Sequence, residues 1–223
     1  MVRALVFDFD GLVFDSETHE YAVVREIFRE HGADLPLELW GTCVGTHDGA
    51  FDAHGYLEEC TGRTLDREAI VRLRRERFYA AVEGHGPLPG VEAMLDAARE
   101  MGLRIGLASS SRRGWVVGQL GRLGLLPYFD ALRTADDVAR VKPDPELYLS
   151  ACDALGVAPH EAVAFEDSPN GALAAKRAGM RCVVVPNSVT AALAFGEHDM
   201  RLGSLLEVEL AALLARLAPP TPD

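Results

Sequence analysis

An apolar run with no polar interruption, Ala4-Leu5-Val6-Phe7, leads directly into Asp8-Phe9-Asp10-Gly11. Such a run, bounded by a turn signal, is the mark of a buried strand. Residues two apart in an extended chain point to one side, so Asp8 and Asp10 are expected to project together from the strand's end. Two carboxylates held that close call for a metal ion, a shared proton, or both. By itself the segment also fits an ordinary strand followed by a solvated acidic turn.

Three later segments favour the chemical reading. Ala108-Ser109-Ser110-Ser111 follows the apolar run 103–107, Lys142-Pro143-Asp144-Pro145 opens a helical pattern, and Glu166-Asp167-Ser168 follows the strand-like run 162–165. Each sets polar groups where a strand gives way to a turn or helix, the place at which open α/β sheets collect ligands. Strand patterns at 4–7, 104–108, 162–165 and 181–185 alternate with helical ones at 91–100, 116–123, 145–155 and 172–178. Gly102, Gly124, Gly156 and Gly179 each stand where a helix would stop. The alternation predicts a parallel sheet with helices on both faces, a Rossmann-like α/β core.

Between the first strand and the next βα pattern, 18–32, 48–59 and 66–83 read as helices with no strand among them. Gly84-His85-Gly86-Pro87-Leu88-Pro89-Gly90 reads as a linker back to the sheet. The expected organisation is a core of residues 1–14 and 86–223 with a helical insertion at 15–85, hinged near Phe14-Asp15 and at the Gly/Pro stretch.

In this order and spacing the segments resemble the haloacid dehalogenase-like hydrolases, specifically the phosphatases and β-phosphoglucomutase-like phosphomutases that carry a small helical cap. Asp8-x-Asp10-Gly11-Leu12-Val13-x-Asp15-Ser16-Glu17 is similar to the family's first motif, Ser109 to the second, Lys142 to the third and Glu166-Asp167 to the fourth. The resemblance implies that Asp8 is a nucleophile forming a phospho-aspartyl intermediate. It implies that Asp10 is the acid/base, its side chain turned from the metal and its main-chain carbonyl a ligand. Mg2+ is the implied cofactor, held by Asp8, Asp10 and Asp167, with Glu166 binding directly or through water. Gly11 lets the backbone turn beneath the phosphate, while Ser109 and the amide of Ser110 receive phosphoryl oxygens. Lys142 pairs with Asp8 and neutralises developing charge. Arg112 is the candidate for a further anionic group, although a solvated arginine reads equally well.

Mutase and phosphatase share these core residues. The cap loop Trp40-Gly41-Thr42-Cys43-Val44-Gly45-Thr46-His47 contains no Arg or Lys, and Glu20 stands where the related sugar mutases carry His, which weakens the mutase case. A cap without lysine excludes Schiff-base phosphonate cleavage, and Asp10 argues for an alcohol leaving group rather than a halide. Glu17, His19, Trp40, His47 and Trp115 read as packing or surface groups with access to the cleft as the alternative, and the run Arg72 to Arg77 reads as a solvated face. A binding or regulatory module without turnover would leave the nucleophile, lysine and acidic motifs unexplained.

Composition supports a folded enzyme: 48% of the 223 residues are hydrophobic, enough for a substantial core. A formal charge of -12 excludes nucleic-acid polymers and anionic membranes as partners, and a small phosphate ester is the expected one. Against that acidic background lysine occurs only at Lys142 and Lys176. The four cysteines show no Cys-x-x-Cys spacing and are expected to be reduced thiols. The opening residues enter the first strand without space for a secretory signal, so a cytoplasmic location is expected, and a monomer. The helical pattern 205–217 packs on the core or on a second subunit.

Overall fold

The first strand lies at the centre of the sheet because all four of its side chains are apolar and can be covered on both faces. A computed structural model describes residues 1–46 and 51–218. Six parallel strands, β1 (Ala4–Phe7), β2 (Arg104–Ala108), β3 (Ala131–Arg133), β4 (Ala162–Glu166), β5 (Arg181–Val184) and β6 (Met200–Arg201), are ordered β3-β2-β1-β4-β5-β6. In register, Ala4 faces Arg104 and Ala162, and Phe7 faces Leu107 and Phe165. The chain proceeds to opposite sides of the sheet from β1, so the crevice between β1 and β4 at the strands' carboxyl ends is the topological switch point.

Strand alternation gives the sheet two unlike faces. Leu5, Phe7, Val163, Phe165 and Val183 point into one apolar cluster, where the Phe7 and Phe165 rings stack with centroids 4.8 Å apart. Helices α5 (Val91–Glu100), α6 (Arg113–Arg122) and α9 (Leu210–Leu217) cover that face. The opposite face is lined by Ala4, Val6, Ala162, Ala164, Cys182 and Val184, and the small side chains let α7 (Glu146–Leu155) and α8 (Pro169–Arg177) pack against it. Each large apolar side chain fully buried this way contributes about 1.5–3 kcal/mol.

The helices between β1 and α5 form a further layer around an apolar cluster of their own. Helices α1 (Ser16–Glu30), α2 (Leu37–Trp40), α3 (Ala53–Thr61) and α4 (Arg67–Val82) enclose Val23, Val24, Ile27, Phe28, Leu35, Trp40 and Leu57. Asp15 caps α1 by accepting from the Thr18 amide at 3.2 Å, and Asp66 caps α4 by accepting from the Ala69 amide at 3.0 Å. The basic run on α4 is only partly solvated: Arg72 and Arg75 are exposed, whereas Arg74 pairs with Glu20 at 2.5 Å and Arg77 with Glu30 at 2.9 Å on α1. Of the expected helix 48–59, the part from Ala53 is helical, while Asp48 and His47 lie outside the described residues.

This layer meets the sheet's carboxyl edge through a polar seam. Asn170 Nδ2 donates to the Val44 carbonyl at 2.9 Å, the Ser110 hydroxyl donates to the Gly45 carbonyl at 3.0 Å, and the Thr18 and Ser188 hydroxyls share a hydrogen bond of 2.9 Å. Gly45 has φ +76° and lies against the Ser168 hydroxyl so closely that a β-carbon would overlap it. The pattern 205–217 divides into a 3-10 turn at Leu205–Glu207 and α9, which packs on the core. All four cysteines are free thiols. Among the described residues no helix is long and apolar enough to cross a membrane.

Candidate active site

The four motif segments converge because β1, β2 and β4 are neighbours and end at the same edge. Asp8 follows β1 and its amide donates to the Phe165 carbonyl at 3.0 Å, which continues the ladder one residue beyond the strand. Ser109 follows β2 and its amide donates to the Arg133 carbonyl at 2.9 Å. Glu166 is the last residue of β4, Asp167 the next, and Lys142 reaches in from the loop before α7.

Lys142, 1% exposed, places Nζ 2.6 Å from Asp8 Oδ1 and 2.6 Å from Glu166 Oε1. Glu166 also accepts from the Tyr148 hydroxyl at 2.5 Å and from the Ser168 hydroxyl at 3.2 Å. Gly171, in the first turn of α8, lies so close to the Glu166 carboxylate that no side chain fits there. Asp167 accepts from Asn187 Nδ2 at 2.8 Å through Oδ2. Its other oxygen, Oδ1, is buried with no hydrogen-bond partner among the described residues.

Asp8, Glu166 and Asp167 are fully or nearly buried and can bring one oxygen each within 4.8 Å of one another. Burial is the largest influence on Asp8; with the Glu166 and Asp10 charges it outweighs Lys142 and pushes the carboxyl up to about 7. Asp167 is driven well above the usual carboxylate range by burial, then by Asp8, Glu166 and Glu17. Burial lowers the Lys142 ammonium, but the Asp8 and Glu166 charges outweigh it and hold the group above its ordinary value. When all three are ionised, three carboxylates against one ammonium leave two negative charges. A divalent oxygen-seeking cation matches that excess and gives the orphaned Asp167 Oδ1 a partner, so these residues fit a divalent metal.

Asp10 is in a different environment. The chain turns at residues 9–14, where the Phe9 carbonyl accepts from the amides of Val13 and Phe14, and the Asp10 carboxylate is not a member of the three-carboxylate cluster. Its Oδ1 accepts from Ser16 Oγ at 2.6 Å and Trp115 Nε1 at 2.8 Å, and its Oδ2 from Ser111 Oγ at 2.6 Å and Ser109 Oγ at 3.4 Å. Asp10 is thus not part of the acidic cluster that contains Asp8, although its charge still acts on the Asp8 carboxyl. Gly11, φ +80°, closes the turn where a β-carbon would overlap Asp167 Oδ2 and Asn187 Nδ2.

Ser109 lies between Asp10 and the start of α6, while the Ser110 hydroxyl is occupied by the Gly45 carbonyl. Arg112 is 84% exposed at its side chain and pairs with Asp136 at 2.8 Å on the rim. Glu17, in the first turn of α1, has its carboxyl raised well above the ordinary value by burial, then by Asp10, Glu20 and Asp8. Ser16, Ser111, Tyr148, Asn187 and the indole of Trp115 join the site without having been identified as ligating groups from sequence. Ser16 and Ser111 had a signal in their neighbourhood to Asp10 and Ser109; Tyr148 and Asn187 had none.

The haloacid dehalogenase-like hydrolase family model matches residues 2–179. The chain is 56% identical over 217 residues to "Putative phosphatase YhcW" of Bacillus subtilis, covering 97% of this chain and 98% of that one. It is 34% identical over 221 residues to hexitol phosphatase B of Escherichia coli, covering 96% and 97%. A crystal structure of CbbY from Rhodobacter sphaeroides in complex with phosphate aligns with a TM-score of 0.73 at 32% identity, over 96% of this chain and 99% of that chain. With the sheet order, the buried acidic cluster and these full-length similarities in agreement, the chain belongs to the haloacid dehalogenase-like hydrolases, as one of the family's phosphoric monoester hydrolases.

Proposed function

We propose that this enzyme is a Mg2+-dependent phosphatase that hydrolyses a small phosphorylated metabolite, a sugar phosphate or similar monoester, through a phospho-Asp8 intermediate. The observation that carries the reading is the division of labour between two carboxylates two residues apart. Asp8 is buried against Lys142 in the acidic cluster, and Asp10 is held outside it by four neutral donors. Opposed environments for neighbouring carboxylates are how one site supplies both a nucleophile and an acid/base.

In the first step an Asp8 oxygen attacks phosphorus and the bond from phosphorus to the leaving oxygen breaks. Asp10 delivers its proton to that oxygen, releasing a neutral alcohol. Lys142 and the Ser109 hydroxyl face the phosphoryl oxygens and offset their charge. In the second step Asp10, now ionised, takes a proton from water as that water attacks phosphorus, freeing Asp8 and inorganic phosphate. Asp8, Glu166 and Asp167, with the Asp10 main-chain carbonyl, would hold Mg2+. Bound there, the ion supplies charge neutralisation for the phosphoryl group.

The layer of residues 15–85 acts as the cap, excluding water from the cleft and selecting the substrate. The full-length similarity to hexitol phosphatase B supports a phosphorylated polyol or sugar as substrate class. Glu20, paired with Arg74, occupies the position at which related sugar mutases carry His, and this favours hydrolysis over phosphate migration. The test is a 31P NMR time course with Mg2+ and a mixture of hexose, pentose, hexitol and nucleoside monophosphates. Release of inorganic phosphate from one component by wild type, and none by Asp8→Asn, is the expected result. Migration of phosphate between sugar positions without release, or activity in Asp8→Asn, refutes the reading.

A further inference from the structure

Among the described residues, Trp115 is the only one of the four side-chain donors to Asp10 that cannot also accept: an indole offers an N–H and no lone pair, whereas Ser16, Ser109 and Ser111 can rotate to accept. Because Trp115 Nε1 lies 2.8 Å from Oδ1, that oxygen is held as an acceptor. A proton on the Asp10 carboxyl is thereby assigned to Oδ2, the oxygen that lies between Ser111 and Ser109.

The indole is itself seated by both connections between the sheet and the helical layer. Phe14, at the first crossing, has its ring centroid 6.3 Å from that of Trp115. Phe78 and Tyr79, near the carboxyl end of α4 before the return crossing, lie at 5.4 and 5.9 Å. Three aromatic rings from the two crossings thus fix one donor on the carboxylate.

We infer that Trp115 is a positioning residue for Asp10: its indole N–H, clamped by Phe14, Phe78 and Tyr79, fixes Oδ1 as acceptor and places the transferable proton on Oδ2, beside Ser109. The inference deepens the phosphatase reading and rests on the acid/base role given there to Asp10. It makes α4 part of the catalytic geometry without contact to the substrate, since displacement of Phe78 and Tyr79 releases the indole that orients the acid.

The test compares wild type with Trp115→Phe, which retains an aromatic ring in the cluster and removes the N–H, on p-nitrophenyl phosphate and phenyl phosphate with Mg2+. p-Nitrophenolate departs with little help from a proton, and phenolate needs it more. The expected result is a roughly tenfold fall in kcat/KM on phenyl phosphate with p-nitrophenyl phosphate held within about twofold, the pattern of an impaired general acid. An equal fall on both substrates, as a merely structural role would give, or no fall on either, overturns the inference. Wild type that releases phosphate neither from these esters nor from the phosphorylated metabolites of the 31P NMR test refutes the phosphatase reading, and with it the acid role.

A second measurement requires no turnover. The indole N–H resonance of Trp115, identified by its loss in Trp115→Phe, is expected to move upfield in Asp10→Ala. A resonance that stays in place in that variant shows that the hydrogen bond is absent in solution and overturns the inference whatever the kinetics.

Discussion

Crowded carboxylates that suit a metal ion and a phosphoryl group destabilise the metal-free fold, so Asp8→Asn is expected to stabilise it above neutral pH. Burial and neighbouring charge move the Asp8 carboxyl from 3.8 to about 7. At about 1.4 kcal/mol per pKa unit, that amounts to about 4 kcal/mol. The sign follows from which state loses its proton first. The unfolded chain ionises Asp8 near the ordinary value while the folded chain still holds the proton. The stability carried by the protonated form is therefore whole below the unfolded value, drains as pH rises, and is gone above about pH 7. Asparagine keeps the shape without the charge and removes the loss; the attraction of Lys142 is already contained in the net shift. For a chain of this size about 4 kcal/mol corresponds to a rise in Tm of about 10 °C. Thermal and urea unfolding in EDTA near pH 8 and pH 5 measures it. The variant should exceed wild type near pH 8, with the gap more than halved near pH 5, and Mg2+ should raise wild type more than the variant. A variant no more stable than wild type near pH 8, or an equal gap at both pH values, refutes the electrostatic argument.

Gly11→Ala forces a side chain onto a backbone at φ +80° and against Asp167; it should cost about 1–3 kcal/mol in urea unfolding and weaken Mg2+ binding in calorimetry. Tyr148→Phe removes the donor 2.5 Å from Glu166; a loss of about 1.5–3 kcal/mol in thermal unfolding is expected, with Mg2+ affinity reduced on the order of tenfold in titration. Ser109→Ala should lower kcat/KM roughly a hundredfold by removing a donor to the transferring group, whereas Ser110→Ala, which breaks a hydrogen bond to the Gly45 carbonyl, should change it by only about threefold. Steady-state rates on one monoester distinguish the two.

Much of the sheet is legible in the sequence because β1, β2, β4 and β5 are apolar runs covered on both faces, and Gly102, Gly124, Gly156 and Gly179 mark the helix ends with positive φ. β3 and β6 escape notice: at three and two residues they carry too little pattern, and they acquire their conformation by pairing with β2 and β5. In the site, Asp8, Glu166 and Asp167 are legible because a charge next to an apolar run is conspicuous, and Lys142 because it is one of only two lysines and heads the Pro143-Asp144-Pro145 opening of a helix. Tyr148 is hidden because it falls on the buried face of α7, where an aromatic reads as packing, and only the fold brings its hydroxyl to Glu166. Trp115 reads as packing for the same reason and does pack, but its N–H is also used. Asn187 follows β5 in a stretch without motif, and only the neighbourhood of β4 and β5 brings it to Asp167.

The central claim is that the phosphoryl group passes through Asp8. During turnover of a monoester with Mg2+, hydroxylamine should intercept the acyl phosphate and convert Asp8 to a hydroxamate, read by peptide mass spectrometry. Modification at Asp8 that depends on substrate is the predicted result. Turnover without modification, or modification at Asp10 instead, contradicts the account.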